Sequence, residues 1–150
     1  MKMNLIQPFI NSMDAVIAET MGCTAQIADV TMEEGNYERT GIAARVSMTG
    51  DIQGRIILDM DSAAARQVAS DFAGGTSTDE TVREAICELT NMVIGNAVTQ
   101  LNDSGFQFRV HPPEVYAMET ETLKAADKEA VVLRFETSRG MVYLNISIRY

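Results

Sequence analysis

Residues 42–60 read IAARVSMTGDIQGRIILDM. In the first half Ile42, Ala44, Val46 and Met48 alternate with Ala43, Arg45 and Ser47, the period of two expected of a strand with one buried face. Thr49-Gly50-Asp51 marks a turn. Residues 55–60 then form a second predicted strand, with Ile56, Leu58 and Met60 inward. Clustered alternating strands joined by a tight turn favour an antiparallel α+β domain over a parallel βαβ sheet.

Upstream of this pair, a strand is predicted over 24–31, ended by the turn-like Glu33-Glu34-Gly35-Asn36. Before it, Leu5, Phe9, Ile10, Met13, Val16 and Ile17 recur at helical spacing and predict a helix over 4–21. Pro8 is tolerable in its first turn, and Gly22 is a natural stop. Downstream, a helix over 62–73 has Asp61 as its N-cap and ends at Gly74-Gly75. A long helix over 78–104 follows. Ser77 and Glu80 have capping-box spacing at its start, and Gly105 ends it. His111-Pro112-Pro113 breaks the chain before strands predicted at 114–118, 131–136 and 141–149. The last alternates cleanly through Val142, Leu144, Ile146 and Ile148. The polar segment 119–128 reads as a loop or hairpin tip. The expectation is one α+β domain over residues 1–150: a mainly antiparallel sheet with packed helices, in the order helix, strands, helix, helix, strands. The glycine-led strands 54–58 and 140–144 suggest a loose internal repeat.

The 150-residue length suits one core, and 46% hydrophobic with 22% charged residues is ordinary globular composition. The net charge of −9 argues against binding nucleic acid or docking on an anionic membrane, which both need a basic footprint. Cys23 and Cys87 form no CxxC pair, and His111 is the only histidine, so no zinc ligand set is expected. The apolar stretch after Lys2 is broken by Gln7, Pro8, Asn11 and Ser12 and does not read as a signal peptide. No apolar run is long enough to span a bilayer. A cytoplasmic setting is the expectation.

The long helix carries the most informative pattern. Val82, Ile86, Leu89, Val93 and Ala97 cluster on one side at 3.6-residue periodicity, which makes that side the core face. Glu84, Glu88, Asn91 and Gly95 fall in a narrow stripe nearly opposite. A solvated helix face would explain the glutamates alone. Gly95 and Asn91 fit that explanation less well, because glycine costs about 1 kcal/mol in a helix interior relative to alanine and asparagine competes for backbone hydrogen bonds. At Gly95 the missing side chain would let a partner backbone come close.

The run Glu84-Ala85-Ile86-Cys87-Glu88-Leu89-Thr90-Asn91-Met92-Val93-Ile94-Gly95-Asn96-Ala97 resembles the signature helix of the CheC/CheX/FliY phosphatase family, CheX members above all. That signature is an acidic or hydroxyl residue, then Glu-x-x-Asn, then a downstream proline, here Pro113 beside Pro112. Glu84 stands where Asp or Ser is expected. Residues 4–9, Met48-Thr49-Gly50 with Gly54, and the closing strand match the family as well, so the resemblance spans essentially the whole chain.

The resemblance implies hydrolysis of the aspartyl phosphate of a CheY-like response regulator in chemotaxis or related two-component signalling. Glu88 and Asn91 would be the catalytic pair, with Glu84 and Gly95 on the binding stripe. An acyl phosphate is already activated, so catalysis needs mainly an in-line water and charge stabilisation. The amide of Asn91 can accept from that water and donate to a phosphoryl oxygen, while Glu88 would pair with the regulator's active-site lysine. No cofactor of the chain's own is implied, since the regulator supplies Mg2+. A homodimer is implied too. Near the first helix Glu19 is followed three residues on by Gly22, so no second Glu-x-x-Asn appears and one site per chain is expected. The rival from another class is a non-enzymatic adaptor that holds a receiver domain on the same stripe.

Other reactive residues have plainer explanations. His111 lacks a visible partner. Cys87 sits beside Glu88 and does not read as a nucleophile, which needs electropositive surroundings. Ser62, Ser77 and Ser104 sit at helix ends, where capping accounts for them. The ten methionines suit core filling.

Overall fold

The computed structural model of the chain describes residues 3–75, 78–117, 121 and 123–149. Helix α1 (Met3–Met21) precedes strands β1 (Gln26–Glu38), β2 (Ile42–Gly50) and β3 (Gln53–Met60). Helices α2 (Ser62–Phe72) and α3 (Asp79–Asp103) follow, then β4 (Phe108–Val110), β5 (Glu114–Tyr116), β6 (Lys124–Thr137) and β7 (Gly140–Arg149). Among the described residues the strands form one seven-stranded sheet in the order β1-β6-β7-β3-β2-β4, with β5 also on β2. Every pairing is antiparallel. The α+β expectation therefore holds.

The alternating residues of the sheet meet the helices in a single core. Ile42, Ala44, Val46 and Met48 of β2, Ile56, Leu58 and Met60 of β3, and Val142, Leu144, Ile146 and Ile148 of β7 are buried there. They pack with Leu5, Phe9, Met13, Val16 and Ile17 of α1 and with Val82, Ile86, Leu89, Val93 and Ala97 of α3. Both α1 and α2 pack against α3. A buried Ser12 hydroxyl donates to the Val93 carbonyl and locks α1 onto α3.

The two halves interlock. Hairpins β2–β3 and β6–β7 lie side by side through β3 and β7, while β1 pairs with β6 and β4 and β5 pair with β2. Each half thus lends its outer strand to the other half's hairpin. The offset that carries Gly54 to Gly140 also carries Leu58 to Leu144, and those two leucines are register partners. A pseudo-two-fold axis therefore runs through that pair. Gly54 is obligatory in this seam: its φ is +135°, and a Cβ there would lie 2.0 Å from the Ser147 carbonyl oxygen.

On the sheet face away from the core, Ala43, Ile57 and Leu123 form a small second cluster with Tyr37 and Tyr116. Asp59, fully buried, accepts from the Gly41 N–H at 2.9 Å and the Thr40 N–H at 2.7 Å. It also accepts from the Thr40 and Tyr37 hydroxyls. Beside it, buried Arg55 donates to Asn145.

Four expectations need correction. The turn-like residues 33–36 do not end β1, which continues to Glu38; a register shift between Glu33 and Gly35 absorbs them. Residues 124–128 are strand, not loop, because they pair with the far end of β1, from Lys124↔Glu38 to Asp127↔Gly35. Backbone pairing holds this ribbon, so no apolar alternation announces it. β4 lies between Gly105 and His111, where the sequence predicts no element; it pairs Val110 with Met48. The capping box of α3 is Thr78 with Thr81, not Ser77 with Glu80, and Ser77 lies outside the described residues. Asp61 does occupy the N-cap of α2, but its side chain makes no cap bond. It accepts from the Met141 N–H at 2.8 Å instead, tying α2 to β7. The strand expected at 114–118 runs over Glu114–Tyr116, and Met118 lies outside the described residues.

Candidate functional site

The capping box fixes the start of α3. The Thr78 hydroxyl accepts from the Thr81 N–H, and the Thr81 hydroxyl accepts in return from the Thr78 N–H. Asp79 and Glu80 sit in the first turn, where the helix dipole favours negative charge. The helix runs unbroken to Asp103, and Gly105 turns the chain with φ +96°. Arg83 donates to the Val115 carbonyl at 3.0 Å and pairs with Glu121, fastening the first half of α3 to the region of β5.

On this fixed rod Glu84, Glu88, Asn91 and Gly95 are all exposed, while Ile86, Leu89, Thr90 and Val93 beneath them are buried. The Thr90 hydroxyl, next to Asn91, is taken by the Ile86 carbonyl at 2.7 Å. Glu84, Glu88 and Asn91 make no hydrogen bond or ion pair among the described residues. Their polar atoms are therefore free for a partner: two carboxylates that accept, and one amide that both accepts and donates. Gly95 has nothing within 4 Å of the place a Cβ would take, so open space lies above the helix backbone there.

One feature beside this stripe escaped sequence reading. A groove of about 270 Å3 between α2 and α3 is lined by Ala69, Phe72, Ala73, Thr81, Glu84, Ala85 and Glu88. Phe72 is 42% exposed there, on the last turn of α2. The available signal was a lone aromatic just before Gly74-Gly75, which periodicity alone cannot separate from a core residue.

The remaining reactive residues lie elsewhere. His111 is exposed beside the β2–β4 pairing, with a ring nitrogen 3.2 Å from the Thr49 hydroxyl. Cys23 and Cys87 are free, half-buried thiols. Among the described residues no three His, Cys, Asp or Glu side chains converge in a metal-binding arrangement, and no helix is long and apolar enough to cross a membrane. Glu114 is held below the usual carboxylate range by hydrogen bonds from Tyr116 and then Arg45, at the β5–β2 edge and outside the stripe.

Residues 42–136 match the family model described as chemotaxis phosphatase CheX. No curated protein matches the sequence. Among solved structures, a CheC-like superfamily protein from Shewanella sp. PV-4 superposes with a TM-score of 0.87 at 23% identity, covering 100% of both chains. Chemotaxis protein CheX from Desulfovibrio desulfuricans gives 0.84 at 20% identity, over 97% of this chain and 99% of that one. The CheX–CheY–BeF3–Mg2+ complex from Borrelia burgdorferi gives 0.69 at 26% identity, over 97% and 98%.

Proposed function

The chain belongs to the CheX family of chemotaxis phosphatases, and on that premise we propose that it hydrolyses the aspartyl phosphate of a CheY-like response regulator in the cytoplasm. The observation that carries this reading is the exposed pair Glu88 and Asn91 on one face of α3, unpartnered among the described residues. The solved complex of a CheX with CheY supports the choice of partner.

In this reading the regulator's phosphoryl group comes to rest over Asn91. The amide oxygen accepts a hydrogen bond from a water in line with the scissile P–O bond, and the amide nitrogen donates to a phosphoryl oxygen. The water oxygen bonds to phosphorus, the aspartyl carboxylate leaves as the regulator's restored side chain, and inorganic phosphate departs. Glu88 would repel the phosphoryl group at close range, so it acts in docking, against a lysine of the regulator. In this reading a Mg2+ held by the regulator would offset phosphoryl charge.

The experiment measures regulator binding by titration and phosphate loss by decay of the phosphorylated form. Asn91→Ala abolishes most of the acceleration and leaves binding largely intact, because its contact is made in the transition state. Glu88→Ala weakens the complex by on the order of 1.5–3 kcal/mol, roughly ten- to a hundredfold. Wild type that binds the phosphorylated regulator without speeding its decay would establish the adaptor reading instead.

We also propose a homodimer. β1 is an edge strand whose Ile27, Val30 and Met32 are 42%, 51% and 57% exposed. Their register partners Phe135, Leu133 and Val131 face the core, so the three form an apolar row on the helix side of an edge that is unpaired among the described residues. Among the described residues the opposite edge holds the short β4 and β5, separated by Pro112 and Pro113. A second copy is the occupant that suits the β1 edge.

A further inference from the structure

We propose that the groove between α2 and α3 receives a lysine or arginine side chain of the docked regulator, separate from the lysine that meets Glu88, and that Glu84 and Phe72 thereby help select the partner. This rests on the phosphatase reading above. The groove's lining combines apolar groups with charged groups of one sign. Ala69, Ala73 and Ala85 supply methyl groups, Phe72 supplies an exposed ring, and Glu84 and Glu88 supply carboxylates. Thr81 also lines it, but its hydroxyl is engaged in the capping box with Thr78. The free polar atoms of the groove therefore only accept hydrogen bonds, and both acceptors are charged. An anionic or purely acceptor group would be repelled.

A long cationic side chain satisfies both parts. Its aliphatic stem covers the alanines and lies along Phe72, and its head reaches the Glu84 carboxylate and the ring face. The volume of about 270 Å3 holds one such side chain and falls below the ~300–1,000 Å3 usual for drug-sized ligands. The described arginines on the flanking elements are already engaged. Arg66 pairs with Asp79 at 3.7 Å and Arg83 with Glu121, and Arg139, on the β6–β7 turn, pairs with Asp71. Continuity with the stripe points to the regulator as the source. Glu88 lines the groove and belongs to the Glu88–Asn91 pair, so a protein seated over Asn91 also covers the groove mouth.

The test measures kcat and KM for phosphate release from a phosphorylated CheY-like receiver. It compares wild type with Phe72→Ala and Glu84→Gln, both at exposed positions, after thermal melts confirm folding. Each change is expected to raise KM roughly tenfold while kcat stays within about twofold. Glu84→Lys is expected to weaken binding further. Among receiver variants with single surface Lys or Arg changed to Glu, one is expected to restore binding to the Glu84→Lys protein. Unchanged KM in both Phe72→Ala and Glu84→Gln overturns the proposal while leaving the phosphatase reading standing. A Glu84→Leu variant that binds more tightly than wild type overturns it in favour of an apolar occupant. A wild type that accelerates no receiver's decay removes the phosphatase reading, and this proposal falls with it.

Discussion

Replacing Gly95 with alanine should make the protein more stable and slow the dephosphorylation proposed above. Gly95 lies inside the 25-residue α3, away from both ends, and has none of the positive φ values that demand glycine. A Cβ there would meet nothing within 4 Å, so the methyl group neither clashes nor gains packing. What remains is the helix-propensity difference between glycine and alanine, about 0.8–1 kcal/mol. For a chain of 150 residues, an unfolding entropy of roughly 2.1 cal/mol/K per residue converts this into a rise in Tm of about 3 °C. If a regulator backbone passes over this bare turn, the same methyl obstructs it, and kcat/KM should fall roughly tenfold, or about 1.4 kcal/mol. Gly95→Leu should fall further while keeping most of the stability gain. Thermal and urea melts read the first effect, and decay of the phosphorylated regulator reads the second. A destabilised Gly95→Ala would refute the helix argument. A stabilised variant with unchanged kcat/KM would refute the claim that this glycine serves docking.

Three further outcomes are expected. Asp59→Ala leaves the buried Gly41 N–H without its acceptor and releases Thr40 and Tyr37 as well, which should cost about 3–5 kcal/mol in urea unfolding; a loss under about 1 kcal/mol would show that the clasp is dispensable. Tyr37 is raised well above its ordinary 10.0, first by burial and then by the charge and hydrogen bond of Asp59, so the folded state keeps a proton that the unfolded chain releases. Its contribution is whole below about pH 10 and is lost as pH rises beyond that, so urea midpoints should fall across about pH 10–12, less steeply in Tyr37→Phe; equal slopes would contradict the assignment. Val30→Lys with Met32→Lys puts charge on the β1 edge and should convert the proposed homodimer to monomer by sedimentation, with the melt of the monomeric fold intact.

Much of this fold was legible because its helices and central strands are amphipathic. The core faces of β2, β3, β7 and α3 follow directly from where Val, Ile, Leu and Met recur, since each has one buried side. The misread segments are those whose cohesion is not written in side chains. The far ends of β1 and β6 join by main-chain hydrogen bonds between residues distant in sequence, and β4 is held by three register pairs to β2. The stripe on α3 was legible through its periodicity. The groove beside it was not, because it depends on how the last turn of α2 sits against Ala85 and Glu88, a contact between elements that no local pattern records.

The exchange of outer strands across the Leu58–Leu144 axis governs how the molecule can be made. During vectorial synthesis β1 leaves the ribosome long before β6, its one partner among the described residues, exists. The β2–β3 hairpin likewise waits for β7 on one flank and for β4 and β5 on the other. Until then the 13-residue β1, with Ile27, Val30 and Met32 along it, stands as an open template that a second nascent chain could capture. Neither half can close a sheet alone, so the nascent chain must stay unfinished, and in need of shielding, until its last third has been translated.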